Sequence, residues 1–199
     1  MGEIHPHLVR YWLHSSEKVD SPETFAEKVN EICTVYQEAR AVRAAGGHTV
    51  SVDEMTGIQA HKYPDKPVIP GKAACMEFEY IRHGTTSLTD FFDVATGRME
   101  MPYLNPTRTE EDFVDAMRAL VDTDPEAFWT FVCDGLNTHK SEGLVRFVAQ
   151  QCGLTEDLGR KGKFGILKSL ESRAGFLHWE DHRIRIVYAP KHCSWMNQI

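Results

Sequence analysis

A nearly unbroken apolar run, AFWTFVCD at residues 127–134, constrains the fold of this chain more than any other segment. The run has the length of a β-strand, and it ends at Asp134. A strand that is apolar on both faces has to be covered on both faces, which is typical of a sheet between layers of helices. The run therefore predicts an α/β protein with this strand buried inside its sheet.

The N-terminal part of the chain adds a long helix and a second strand. Residues 21–23 (SPE) supply an N-cap serine, a first-turn proline and a first-turn acid, so they predict the start of a helix. This helix ends at the glycine pair 46–47. Apolar and polar residues then alternate in HTVSVDE (48–54), which predicts a strand with Asp53 near its C-terminal end. Residues 1–20 show no clear period and predict an arm or linker ahead of a domain over residues 21–199.

The remaining patterns complete a sheet flanked by helices. A period of two over residues 76–104 predicts a strand at 76–80 and then a hairpin that turns at Ala95-Thr96-Gly97. Helices and strands then alternate to the end of the chain. Antiparallel strands followed by this alternation predict an α/β fold with a five-stranded mixed sheet, in which the Asp53 strand lies between the hairpin and the Asp134 strand. The later elements are a helix from a capping box at 109–112, a helix that ends at Gly153, a helix over 166–177 and a strand over 183–188.

Composition narrows the class of protein. No apolar run approaches the ~18 residues that a membrane-spanning helix needs, and the N-terminus lacks the basic and apolar regions of a signal peptide. Five cysteines without a CxxC pair are typical of reduced thiols in a cytoplasmic protein. The formal net charge of -7 argues against a dedicated nucleic-acid clamp. Basic residues nevertheless outnumber acidic ones between Leu158 and Cys193, which is consistent either with phosphate contact or with a solvated face.

Two aspartates are the candidate functional residues. Asp53 and Asp134 each end a strand, and the C-terminal edge of an α/β sheet is where ligands bind. If the two strands are neighbours, both carboxylates can bind one hard cation such as Mg²⁺ or Mn²⁺. The alternative is that each aspartate ends its strand because aspartate favours turns. In DGLNTHK (134–140), Asn137 or Thr138 can cap the next helix and His139 lies close to Asp134; an exposed histidine in a capping loop is the alternative.

Five ordered segments of the chain resemble the catalytic region of insertion-sequence transposases of the mariner-like superfamily. The resemblance implies an RNase H-like DDE core, which cuts DNA with the help of two divalent metal ions. The segments are HTVSVDEMTGIQA, FEYIRHGTTSL, FVCDGLNTHKS, GILKSLESRAGFL and RIRIVYAPKHCSWMNQI.

The resemblance also assigns roles to residues. The first two carboxylates of the metal-binding triad fall on Asp53 and Asp134, and Mg²⁺ or Mn²⁺ is the implied cofactor. The third, a glutamate, would follow directly after SWMNQI, which ends at Ile199. Asn137 and His139 are expected to support the metal ligands, and Glu54 is expected to form a salt bridge or to play the same supporting part. The family's helix-turn-helix DNA-binding region would precede residue 1.

Several expectations follow for function. The chain is expected to be a transposase catalytic core, acting on transposon ends and target DNA in the bacterial cytoplasm beside the nucleoid. Without the third carboxylate it is expected to fold but not to cleave DNA, and residues 193–199 are expected to be poorly ordered. The alternative is a remnant that only binds DNA or oligomerises, including as a homodimer; an unrelated Mg²⁺-dependent phosphatase is a third hypothesis without a supporting motif. Candidate DNA contacts are Arg160, Lys161 and Lys163.

Overall fold

The protein is described by a computed structural model that covers residues 15, 17–64, 69–73 and 78–199. Single-turn 3-10 helices occur at Thr138–Lys140, Ile166–Lys168 and Ser194–Met196. The α-helices are α1 (Glu17–Asp20), α2 (Pro22–Ala44), α3 (Glu110–Val121), α4 (Glu142–Gln151) and α5 (Leu170–His178). The strands are β1 (His48–Lys62), β2 (Ile81–Asp93), β3 (Arg98–Met99), β4 (Tyr103–Asn105), β5 (Trp129–Cys133) and β6 (Ile184–Tyr188).

These strands form one mixed sheet with the order β3-β2-β1-β5-β6, and β4 pairs with β2 outside this path. Strand β1, which carries Asp53, is antiparallel to β2 and parallel to β5. Strand β6 continues the parallel side beyond β5. The predicted central position of the Asp53 strand, between the hairpin and the Asp134 strand, is therefore confirmed. The fold is the predicted mixed sheet with helices on its faces, and β4 adds a sixth strand.

The helices cover the two faces of the sheet and form two clusters of buried side chains. Helices α3, α4 and α5 contribute to the larger cluster, and α2 contributes to the smaller one. Strand β5 supplies Trp129, Phe131 and Cys133 to the larger cluster and Val132 to the smaller one. This double burial confirms that the apolar run marks a strand covered on both faces. Phe128 lies outside the strand and is 65% exposed, so the run overestimates the strand at its N-terminal end.

The region between β1 and the hairpin differs from the prediction. Strand β1 continues to Lys62 and pairs with the start of β2, from Ile81 onward. Residues 78–80 precede β2 instead of forming a separate strand, and residues 76 and 77 of the predicted strand lie outside the described residues. The paired ends of β1 and β2 are largely exposed. Alternation between buried and exposed positions therefore could not reveal these strand extensions.

The predicted hairpin turn is confirmed at Ala95-Thr96-Gly97. The Gly97 amide donates to the Asp93 carbonyl over 2.8 Å, and Gly97 has a φ of 71°. This left-handed conformation favours glycine because it has no Cβ. The strand after the turn is short, however, since the segment RMEMPYL is divided between β3 and β4.

The observed N-terminal caps of α4 and α5 differ from the predicted starts of these helices. The Ser141 hydroxyl accepts a hydrogen bond from the Leu144 amide over 3.1 Å and caps α4, so the predicted cap at Asn137 or Thr138 is wrong. Ser169 caps α5 through a reciprocal bond with Ser172, and it divides the predicted helix 166–177 into a 3-10 turn and α5. The predicted capping box at 109–112 is confirmed: Thr109 and Asp112 each accept a bond from the other's amide.

The C-terminal segment packs against β1 and α2, contrary to the expectation of poor order. The Tyr36 hydroxyl donates to the Met196 carbonyl over 2.9 Å and also lies 2.9 Å from the Ser51 hydroxyl. The Asn197 side chain donates to the Val52 carbonyl over 2.6 Å. Cys193 and Met196 are buried in the smaller cluster. Apolar partners on α2 and polar partners on β1 together explain why the segment is packed.

Candidate active site

The register between β1 and β5 brings the two predicted aspartates together. The parallel pairing runs from His48 opposite Trp129 to Ser51 opposite Val132. The same register, continued for two residues, places Asp53 beside Asp134, the first residue after β5. Neighbouring strands lie roughly 4.8 Å apart, so the two residues start from adjacent positions at the C-terminal edge of the sheet. They share the α2 side of the sheet, because Ser51, two residues before Asp53, contacts Tyr36.

A third aspartate joins this edge from the other neighbour of β1. Asp90 of β2 lies directly opposite Asp53 in the antiparallel pairing, so both side chains lie on the same face. They line a cavity of about 360 Å³ that Ile199 and Met99 also contact. Asp90 was not predicted as a site residue, because its position opposite Asp53 depends on the register between the two strands. The available signal was Asp90 in TDFFDV, on a strand expected to pair with β1.

The Asp134 carboxylate is held by the loop that follows it. Its Oδ1 lies 2.8 Å from Nδ1 of His139 and accepts a hydrogen bond from the Leu136 amide over 3.2 Å. Partial burial of Asp134 opposes ionisation, but the hydrogen bond and charge of His139 outweigh it and lower the pKa of this carboxyl. Asp134 is therefore ionised at neutral pH, as a ligand for a hard cation has to be.

His139 is buried, so the alternative of an exposed histidine in a capping loop is wrong. Its ring lies 4.3 Å from that of Phe113, and its Nε2 is 3.8 Å from a Glu54 carboxylate oxygen. Burial disfavours the charged ring, but Cys133 and the carboxylates of Asp134 and Glu54 outweigh it and raise the pKa of His139 to about 12. A protonated imidazole thus lies between two carboxylates and fixes the position of Asp134.

The structure places Asn137 differently. Its side chain is exposed and does not cap the 3-10 turn that follows it. Asn137 instead lines a separate cavity with Thr138, Lys161 and Arg173. Contact of Asn137 with a metal ligand remains a prediction, whereas His139 lies beside Asp134 and Glu54 faces the other side of the His139 ring.

A larger cavity of about 750 Å³ opens beside Asp134 on the α2 side. The Lys140 ammonium lies over the Tyr188 ring at 4.6 Å from its centroid, and both residues line this cavity. Lys191 and His192 lie on its far side, in the loop after β6. Glu17 and Asp20 also line this cavity, so it carries both acidic and basic side chains around Asp134. The ionised Asp134 can accept a metal ion there, and the lysines can contact a phosphate group.

The chemistry of the two carboxylates suits a divalent metal ion. Asp53 uses Oδ1 to accept from the Glu54 amide, and Asp134 uses Oδ1 for His139 and Leu136. Across the described ranges, neither Oδ2 accepts a hydrogen bond, so each aspartate keeps an oxygen for a ligand. The same ranges contain no group of three or more His, Cys, Asp or Glu side chains arranged to bind a metal. The residues present therefore fit part of a coordination sphere of hard oxygen ligands.

A match to a known protein family covers the segment that forms this edge of the sheet. Residues 48–199 match the family described as DDE superfamily endonuclease. The chain belongs to the DDE superfamily endonuclease family. The match runs from the first residue of β1 to Ile199, so it includes every strand of the sheet. It also contains both Asp53 and Asp134. DDE endonucleases act on phosphodiester bonds of DNA with divalent metal ions, as the resemblance implied.

The solved structures to which this chain is similar include complexes of the Mos1 transposase. The Mos1 paired-end complex with the left transposon end has 19% sequence identity and a TM-score of 0.39 over 75% of this chain and 45% of that one. The mariner Mos1 paired end complex with Mg has 18% identity and a TM-score of 0.42 over 75% and 45% of the two chains. This chain thus spans less than half the length of the Mos1 chains. No curated protein sequence matches it at a significant level. None of the described helices is long and apolar enough to cross a membrane.

Proposed function

We propose that this chain is the catalytic core of a DDE transposase, which cuts DNA at the ends of a mobile element and joins them to target DNA. The observation that carries this proposal is the register that places Asp53 beside Asp134 on one face of the family's catalytic segment. Two converging carboxylates at this edge suit metal-dependent phosphoryl transfer, whereas turn chemistry alone does not require them to be neighbours. The proposed setting is the bacterial cytoplasm, beside the nucleoid.

Asp53 and Asp134 would hold Mg²⁺ or Mn²⁺. When bound, the ions would stabilise negative charge on the attacking and leaving oxygens of the phosphodiester. Asp53 is exposed at the sheet edge, so it would be one of the residues that hold the metal. Asp134 is kept ionised and fixed by His139, while Glu54 balances the charge of the imidazolium from its other side. These contacts preorganise the ligands before DNA binds.

The third carboxylate would arrive along the C-terminal segment. Asn197 and Gln198 bond to Val52 and Ser51, and Ile199 lines the cavity of Asp53 and Asp90. A glutamate joined to Ile199 would therefore begin beside Asp53. We propose that residues 1–199 by themselves do not cleave DNA, because Asp90 does not form a three-ligand group with Asp53 and Asp134, and these two carboxylates alone do not complete a two-ion site.

A second candidate function is a module that binds DNA or forms a homodimer without catalysis. The observation in its favour is that the described ranges hold no group of three or more His, Cys, Asp or Glu side chains that could bind a metal ion. DNA binding that is independent of Asp53 and Asp134, together with no cleavage by any extended chain, would favour this candidate.

A nicking assay on supercoiled DNA in Mn²⁺ tests the proposal. The 199-residue chain is compared with a chain extended by a glutamate and the following helix, each with Asp134 intact and as Asp134→Ala. We expect nicking only by the extended chain with Asp134 intact. Loss of one preorganised electrostatic group costs about 10²–10³ in rate, and loss of an ion site should cost at least that. Nicking by the 199-residue chain that Asp134→Ala abolishes would refute the proposed inactivity, and no nicking by either chain would count against the catalytic proposal.

A further inference from the structure

Residues 158–165 (LGRKGKFG), here called the basic turn, form a turn whose backbone conformation is fixed by hydrogen bonds and by two closely packed glycines. The Arg160 amide donates to the Phe164 carbonyl over 3.0 Å, and the Phe164 amide donates back over 3.3 Å. Gly159 and Gly165 have φ values of 85° and 74°, and they cross at close range. A Cβ on Gly159 would lie 2.1 Å from the Phe164 carbonyl oxygen. Only glycine fits at this crossing, so the turn presents its side chains from a fixed backbone.

The basic turn is anchored in the core and tied to the loop of Asp134. The Leu158 carbonyl accepts from the amide of Leu167, which is fully buried. The Arg173 guanidinium is buried and donates to the carbonyls of Leu167 over 3.0 Å and of Lys140 over 2.6 Å. Lys140 follows His139 in the loop that positions Asp134. One arginine therefore connects the base of the basic turn with the candidate active site.

The Leu158 side chain packs against the larger cluster, but the three cationic side chains and the ring of Phe164 do not serve the stability of the turn. Arg160, Lys161 and Lys163 are exposed within four residues, and no ion pair to them exists in the described part of the chain. Like charges this close repel each other. Phe164 is 57% exposed beside them, although an apolar ring gains free energy from burial. Three unpaired cations around an exposed aromatic ring are the combination that binds the phosphates and base faces of nucleic acid.

We propose that the basic turn binds DNA bases that have left the duplex, with Phe164 stacked on a base and the three cations on flanking phosphates. This inference rests on the proposed function and adds a substrate feature to it, namely unpaired DNA next to the cut. Lys161 lines a cavity together with Asn137 and Thr138, which follow Asp134 by three and four residues in the sequence. In this proposal, DNA held at the carboxylates extends along the loop after Asp134 onto the turn. Duplex DNA offers no exposed base face, so the ring of Phe164 should contribute to single-strand binding in particular.

Fluorescence anisotropy in EDTA tests this inference, with a labelled single-stranded oligonucleotide and its duplex as probes. Phe164→Leu keeps an apolar side chain and removes the aromatic face. We expect it to weaken single-strand binding about 5- to 100-fold, since base stacking on an aromatic residue has roughly that effect, and to change duplex binding much less. Phe128→Leu is the matched control, because Phe128 is similarly exposed. It lies just before β5, at the end of the strand opposite to Asp134. Equal affinities of the Phe164→Leu and Phe128→Leu variants for the single strand would overturn the stacking role.

The cations are tested through the salt dependence of the same binding. Replacing both Lys161 and Lys163 by glutamine should reduce the slope of log affinity against log salt by about 0.7 per lysine on a single strand. Arg40→Gln, at an exposed position on α2, should leave the slope unchanged. An unchanged slope in the double variant would overturn the phosphate contacts. Because EDTA removes metal, these results do not depend on whether Asp53 and Asp134 bind an ion, and Mn²⁺ calorimetry tests that separately.

Discussion

Nδ1 of His139 lies 2.8 Å from Oδ1 of Asp134, so a buried imidazole holds one of the two carboxylates at the C-terminal edge of the sheet. The same ring faces Glu54 on its other side. This contact links the fold to the proposed chemistry: α3 packs Phe113 on the ring, and the ring keeps Asp134 ionised and oriented. Binding of a metal ion to Asp134 should therefore depend on His139 as well.

His139→Gln should destabilise the fold. The substitution removes the positive charge between Asp134 and Glu54, so both carboxylates lose their cationic partner. Hydrogen bonds to charged groups contribute about 1.5–3 kcal/mol, and the partial exposure of Asp134 favours the lower half of that range. Urea unfolding at pH 7 measures the change in the free energy of unfolding. His192→Gln, at an exposed position after β6, is the control and should change it little. Equal stability of both variants would contradict the role given to His139.

The stabilisation by His139 should depend on pH in a defined direction. The folded-state pKa of His139 is raised to about 12, so its contribution is complete below the ordinary histidine pKa of about 6.5 and falls as pH rises toward 12. The lowered pKa of Asp134 has the opposite dependence, and its contribution is lost only in acid, as pH falls through the folded value. The difference in unfolding free energy between wild type and His139→Gln should thus be larger at pH 5.5 than at pH 9 in urea titrations. A difference that is constant or grows with pH would show that the ring is not charged.

Tyr36→Phe should loosen the C-terminal segment. The hydroxyl bonds to the Met196 carbonyl and to Ser51, and its loss should cost about 1–2 kcal/mol in the free energy of unfolding. Hydrogen exchange of residues 193–199 should accelerate in the variant. Tyr103→Phe is the control, because the Tyr103 hydroxyl makes no hydrogen bond within the described ranges. Unchanged exchange in Tyr36→Phe would mean that the segment is held by the burial of Cys193 and Met196 alone.

Two glycines with a left-handed backbone allow a matched test of the basic turn. Gly159 and Gly153 both have positive φ, but a Cβ on Gly153 would meet nothing within 4 Å, whereas one on Gly159 would collide with Phe164. Gly153→Ala should cost about 1 kcal/mol, the usual penalty of the conformation. Gly159→Ala should lower the free energy of unfolding, measured by thermal unfolding, by clearly more than this, because the new Cβ also forces the turn to open. Equal costs would indicate that the turn is not as tightly closed as described.

The sequence predicts the positions of Asp53 and Asp134 at one edge of the sheet well, because the local patterns before both residues are strong. The apolar run before Asp134 is required by burial on both faces, and alternation in 48–54 gives β1, so the positions of both aspartates follow from local patterns. Asp90 could not be assigned in the same way, since its place opposite Asp53 depends on the pairing register between two strands. The exposed parts of β1 and β2 carry no burial signal. The packing of the C-terminal segment depends on Tyr36, 160 residues away in sequence, which no local pattern shows.

Isothermal calorimetry of Mn²⁺ binding tests the central claim most directly. Two carboxylates leave much of the coordination sphere to water, so wild type should bind Mn²⁺ weakly. Asp53→Asn and Asp134→Asn should each abolish this binding, and Asp115→Asn, at an exposed position on α3, should leave it intact. Loss of binding in both site variants, with the control unchanged, is the result that a shared ion at Asp53 and Asp134 requires. Unchanged Mn²⁺ affinity in Asp53→Asn or Asp134→Asn would contradict it.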